Sequence, residues 1–167
     1  MALSKTKKKE VLDAITKIAT ESTSLVFVNF HGLPVTETTA LRRDLRNQGV
    51  GYTVAKKTLV RKAITDGIGK KLTGEMPELT GEVAIAYTTG DALAPAREIY
   101  SFEKKHEGKI SILGAIFEDA YIGRDKAVAI ASIPSRQTLL GMLINVINSP
   151  IQRTALALGE IAKTKTA

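Results

Sequence analysis

Apolar and polar positions fall into blocks along this 167-residue chain, and each block predicts an element. Val11, Leu12, Ile15, Ile18 and Ala19 recur at helical spacing, which predicts an amphipathic helix over Glu10 to Thr20. Leu25 to Phe30 is a continuous apolar run rich in Val and Phe and reads as a buried strand. Gly32 and Pro34 break it. Thr36 and Glu37 then open a helix in which Leu41 and Leu45, four apart, can share a core face, and Gly49 is placed to close it. Tyr52 to Ala55 reads as a second strand, and Thr58 is placed to cap a third helix. Glu82 to Thr88 is another apolar strand. Residues 91–106 read as a helix whose first full turn begins near Pro95. Lys109 to Phe117 reads as a strand in which Gly114 marks a bulge or a close contact, and Asp119 to Ile122 adds a short strand. Arg124 to Ala131 is an Ala-rich helix. Alternation of this kind predicts an α/β fold, an α+β-like sandwich whose mixed sheet is covered by helices.

The pattern changes after Ile133-Pro134-Ser135. Pro134 disfavours helix at Ile133, and Ser135 is a good N-cap. From Gln137 to Gly159 the one charged residue is Arg153. Leu140, Ile144, Ile147, Ile151, Ala155, Leu158 and Ala162 are spaced 4, 3, 4, 4, 3 and 4, and the stripe repeats at eleven residues. Eleven residues is about three turns at ~3.67 per turn, so the stripe holds one face of a long protruding helix. Pro150 is expected to bend it. Two parts result: a globular unit over residues 1–133, and a hinge with a C-terminal helix over 134–167.

Composition then narrows the chemistry. Hydrophobic residues make up 44%, enough for a core, and charged residues 25%. The absence of Cys excludes disulfides and thiolate metal sites, and the sequence implies no cofactor and no metal. No run reaches the ~18 apolar residues of a membrane helix, so the expectation is no membrane and a cytoplasmic location. The net charge of +7 is uneven. Residues 1–71 hold 14 Lys/Arg against 6 Asp/Glu, a surplus of 8, whereas residues 72–167 hold 10 against 11. A basic half suggests a polyanionic partner.

Three groups carry that charge. Lys5, Lys7, Lys8 and Lys9 precede the first helix, in a stretch expected to be loose until bound. Cations at a helix N-terminus conflict with its dipole, a conflict that an external anion would relieve; the alternative is a solvated basic tail. Arg42, Arg43 and Arg46 lie on one helix, and Lys56, Lys57, Arg61 and Lys62 open the next. Both strand–helix units are expected to bring their charges near the same strand ends. The only aromatics nearby, Phe30 and Tyr52, read as core, which argues for structured RNA or duplex read by shape and phosphate rather than by single-strand stacking. His31 has no carboxylate or nucleophile placed beside it by any motif, so it reads as a loop histidine touching backbone or phosphate. Gly67-Ile68-Gly69-Lys70-Lys71 lacks the Ser/Thr and the upstream Gly of a phosphate loop and follows a helix, so it is rejected as one. The C-terminal stripe could fold back, self-associate or serve as a rod for other helices; the hinge and the repeated pattern favour the rod.

Several motifs together resemble one family. Phe30-His31-Gly32-Leu33 looks like its aromatic-x-Gly-Leu loop, and Leu41-Arg42-Arg43-Asp44-Leu45-Arg46 followed by Gly49 looks like its Leu-Arg-rich helix. Val54, Lys56, Thr58, Leu59 and Arg61 match a V-x-K-N-T-L-x-R motif, with Lys57 where Asn is usual, and Glu82 stands where a Pro often follows the Gly. Pro134-Ser135-Arg136 with Leu139-Leu140 matches a P-S-R-x-x-L-L hinge. The chain is similar to the ribosomal stalk-base protein of the large subunit, the tenth protein of that subunit. The resemblance implies an N-terminal domain that grips large-subunit rRNA at the GTPase-associated region and sits beside a neighbouring ribosomal protein. It also implies a C-terminal helix that carries dimers of the small acidic stalk proteins, which recruit translation factors. Such proteins often repress their own operon by binding its mRNA leader. The chain ends at Ala167 without the extra domain and acidic tail of archaeal and eukaryotic relatives, so a bacterial or organellar ribosome is expected.

The expected RNA-binding set is Lys7, Lys8, Lys9, His31, Gly32, Arg42, Arg43, Arg46, Lys56, Lys57, Thr58, Arg61 and Lys62. The expected docking set is Leu139, Leu140, Leu143, Ile144, Ile147, Ile151, Ala155, Leu158, Ile161 and Ala162, in two segments split at Pro150. Each segment offers about three turns, room for one compact helical dimer, so two dimers are expected. The rival reading is an α/β enzyme acting on a phosphorylated substrate, with the C-terminal helix as a dimerisation arm.

Overall fold

The computed structural model of the chain describes residues 5–67, 72–74, 76–106 and 108–165; the Gly69-Lys70-Lys71 stretch and residues 1–4 lie outside them. Two compact units divide at Ile133/Pro134. In the first, α1 (Lys5–Glu21) leads into β1 (Ser24–Phe30), and α2 (Val35–Asn47) into β2 (Gly51–Val54). Then follow α3 (Lys57–Gly67), β3 (Val83–Thr88), α4 (Ala94–Lys105), β4 (Ile110–Phe117), β5 (Ala120–Gly123) and α5 (Arg124–Ala131). The second unit is α6 (Arg136–Lys165).

The strands form one sheet in the order β2-β3-β1-β4-β5. Every ladder is antiparallel, which corrects the expected mixed sheet; the one parallel pairing among the described residues is an isolated bridge between Thr73 and Ala120. The reason is topological. β1 and β2 both oppose β3, so they run parallel to each other, but β3 is inserted between them. β3 and β4 are likewise separated by β1. Each crossover helix therefore skips one strand, as in split βαβ units.

The central strand β1 is continuously apolar from Leu25 to Val28, and both of its faces are covered. Leu25 and Phe27 join Ile15 and Ala19 of α1 and Val60, Ala63 and Ile64 of α3. Val26 and Val28 join Leu41 and Leu45 of α2, Ile99 and Phe102 of α4 and Ala127 of α5. Helix, sheet and helix thus make three layers. Gly114 fulfils both halves of its expectation. The register slips there, with Phe27 opposite Gly114 but Val28 opposite Ile112, leaving Leu113 as the extra residue of a bulge. The slip reverses the side-chain alternation, so that Ile110, Ile112 and Ala115 all reach the α2/α4/α5 layer. A Cβ at Gly114 would also come within 2.7 Å of the Ile122 carbonyl and the Pro77 ring. The β4–β5 hairpin turns at Glu118 and Asp119, with φ of 50° and 58°, the two left-handed residues of a type I′ turn.

Two helix starts differ from expectation. α1 begins at Lys5, so the lysines assigned to a loose tail lie in its first two turns. α3 begins at Lys57, one residue before Thr58, and the carbonyl of Lys56 accepts from Leu59 N–H (2.8 Å) and Val60 N–H (3.1 Å). Thr58 is therefore inside the helix rather than its cap. At the C-terminal unit the expected cap is present: Ser135 Oγ accepts from Thr138 N–H at 3.3 Å.

Candidate functional site

One end of the sheet collects most of the expected basic residues. β1 and β2 both finish there. The chain leaves β1 through His31 and Gly32, whose φ of 61° is left-handed and whose missing Cβ faces open space. His31 N–H donates to the Lys109 carbonyl at 2.8 Å, which anchors this loop to the start of β4. The chain leaves β2 through Lys56 into α3, whose first two turns expose Lys57, Thr58, Arg61 and Lys62. α1 runs into the start of β1, so its own first turns lie at the opposite end, where β1 finishes. Gly67 at the end of α3 lies against Thr16, which sets α1 and α3 side by side and pointing the same way. Exposed Lys7, Lys8 and Lys9 therefore share an end of the sheet with Lys56 and Lys57.

The arginines of α2 do not join them. α2 covers the other face of the sheet, and Arg42, Arg43 and Arg46 lie in its second half, toward the end where β2 begins. There the Arg42 guanidinium sits 5.8 Å from the centre of the Tyr52 ring. Burial pushes the Tyr52 phenol up to about 12, with the Arg42 charge opposing that shift. The two strand–helix units thus do not converge as expected: α3 opens at the shared strand ends, whereas α2 carries its arginines away from them. Charge periodicity places residues on helices; which face of the sheet each helix covers depends on the crossovers.

Two features of this end had no signal in the sequence. Glu37, in the first turn of α2, takes Lys109 Nζ on both carboxylate oxygens at 3.1 Å, and His106 Nδ1 lies 3.6 Å away. Lys109 thus holds α2 through its side chain and the His31 loop through its carbonyl. The partners are 72 residues apart in the chain, beyond any local pattern. A cleft of about 360 Å³ also opens between the first turns of α3 and residues 76–80.

On α6, Leu139, Leu140, Leu143, Ile144, Ile147, Ile151, Ala155, Leu158 and Ile161 are all exposed; the side chain of Ala162 lies outside the described residues. Exposure is not confined to the expected stripe, for Met142, Val146 and Leu156 are 52%, 71% and 68% exposed. Pro150 does not end the helix. It removes the N–H that would bond the Val146 carbonyl, while Thr154 Oγ1 donates to its own carbonyl at 2.7 Å. No single helix among the described residues is long and apolar enough to cross a membrane.

Comparison with known proteins decides the family. Residues 3–104 match the family described as ribosomal protein L10. The large ribosomal subunit protein uL10 of Bacillus licheniformis is 38% identical over 158 residues, covering 95% of this chain and 93% of the relative. Its counterparts in Shouchella clausii and Staphylococcus carnosus are 37% and 35% identical at the same coverage. The chain belongs to the ribosomal protein L10 family. It is a structural protein of the large ribosomal subunit and not an enzyme, so the reading as an α/β enzyme with a dimerisation arm is set aside.

Proposed function

We propose that the first unit binds large-subunit rRNA at the GTPase-associated region, beside a neighbouring ribosomal protein, and that α6 anchors two dimers of acidic stalk proteins. The observation that carries this reading is the separation of two chemistries onto two units. Exposed Lys7, Lys8 and Lys9 of α1 and Lys57, Arg61 and Lys62 of α3, with no ion pair among the described residues, gather at one end of the sheet. A helix whose large apolar side chains are exposed makes up the other unit. Unpaired cations favour phosphates through counterion release. An apolar helix with no core of its own favours a partner helix. Affinity for a stalk-base rRNA fragment, measured against salt, tests the first half. Lys56→Ala with Arg61→Ala is expected to lower the slope by roughly 0.7–0.9 for each phosphate no longer neutralised. An unchanged slope would remove those two residues from the interface.

The same basic surface would serve an mRNA leader in autogenous repression. A Lys56/Arg61 variant that lost rRNA binding yet kept full leader binding would disprove a shared site.

A further inference from the structure

We propose that the cleft between α3 and residues 76–80 receives one unstacked nucleotide of the bound RNA, an inference that rests on the RNA-binding reading above. Its volume of about 360 Å³ lies in the range of small-ligand pockets, roughly 300–1,000 Å³. Its two walls differ in chemistry. Lys57 and Arg61, four apart and so on one face of α3, line the first wall. Neither makes an ion pair among the described residues. Met76, Pro77 and Leu79 line the second, half-buried. That wall is seated on the sheet: Met76 and Leu79 pack on the α1/α3 core, and Pro77 lies over Gly114.

A nucleotide is the unit of RNA that offers both complements at once. Its phosphate meets the two cations, and its base face lies on the apolar wall. A phosphate alone would leave Met76, Pro77 and Leu79 uncovered, and a paired base inside a duplex could not enter. Sequence-specific RNA recognition works largely through bulged or looped bases of this kind. No aromatic among the described residues lines the cleft, so the polarizable Met76 and the flat face of Pro77 take the place of a stacking ring. Glu78 is the one acid on the lining among the described residues. A carboxylate beside a base accepts from exocyclic N–H groups, which favours a base that carries a 2-amino group, as guanine does and as 2-aminopurine also does.

The test uses the full chain and an rRNA fragment of the GTPase-associated region. 2-Aminopurine is substituted singly at each bulge and loop position, and its emission rises when the base unstacks. One position is expected to brighten several-fold on binding. Thr80→Phe, at an exposed residue on the rim, fills the cleft without touching its charges. It is expected to abolish that brightening and weaken binding roughly ten-fold. Should circular dichroism show Thr80→Phe unfolded, the smaller Thr80→Leu fills part of the cleft from the same rim position. If the wild type binds and no position brightens, or if the filled variant keeps both emission and affinity, the cleft is not a nucleotide site. If the wild type fails to bind the fragment at all, the RNA reading falls, and this inference with it.

Discussion

Glu103 on α4 shows how one side chain can cost stability inside an otherwise well-paired layer. Its Oε2 is buried without a hydrogen-bond partner. Burial raises its carboxyl above the usual range, against the opposing influence of Arg124 and of a bond from the Ile112 backbone. A folded-state value above the unfolded one means that folding favours the protonated form. The penalty is therefore present above the folded value and fades as pH falls through it. Glu103→Gln is expected to raise stability at pH 7 and to lose that advantage in acid, as read from urea unfolding at both pH values. Equal stability of the two proteins at pH 7 would contradict this account. Gly114 behaves in the opposite sense. A methyl group there meets the Ile122 carbonyl and the Pro77 ring, so Gly114→Ala is expected to cost about 1–3 kcal/mol in the same unfolding measurement. The sequence announces this glycine, because an interior Gly weakens a strand unless something approaches it closely. It cannot announce Glu37 with Lys109, since nothing local marks a pair that only the fold brings together.

At the scale of elements, apolar periodicity is a good guide wherever one layer covers one face. α5 is bounded as the pattern predicts, and the strand positions agree within a residue or two. Periodicity fails where order along the chain differs from adjacency in space. Both crossovers skip a strand, which makes the sheet antiparallel and sends the arginines of α2 and the lysines of α3 to opposite faces. Double substitutions should separate the two faces. Arg42→Ala with Arg46→Ala and Lys56→Ala with Arg61→Ala are expected to lower the salt slope by similar amounts only if the RNA wraps the β2 edge. If it sits on the end of the sheet alone, the α2 pair leaves the slope unchanged. On α6 the eleven-residue repeat gives two segments around Pro150. Leu158→Asp is expected to release the outer acidic dimer and keep the inner one, because Leu140, Ile144 and Ile147 are untouched; burying one such side chain stabilises by ~1.5–3 kcal/mol. Native mass spectrometry should show four acidic chains on the wild type and two on the variant. Six on the wild type, or none on the variant, would mean that the repeat has been misread.

For the whole molecule, a protein made of a folded sandwich and an apolar helix without a core has an unusual dependence on supply. The sandwich buries its own apolar side chains, including Phe27, Ile64, Ile85 and Ile112 at 0–1% exposure. α6 cannot do so, and the eleven large apolar side chains from Leu139 to Ile161 that it presents to solvent need cover from outside. A chain made faster than its cover carries a surface that chaperones and proteases read as unfinished. Limited proteolysis of the isolated protein is accordingly expected to cut within 136–165 first and to leave the sandwich whole. Added stalk-protein dimers should protect the helix. In growing cells the lifetime of the chain would then follow the abundance of its helical cover, so that any surplus is cleared by turnover, in addition to whatever control acts on its message.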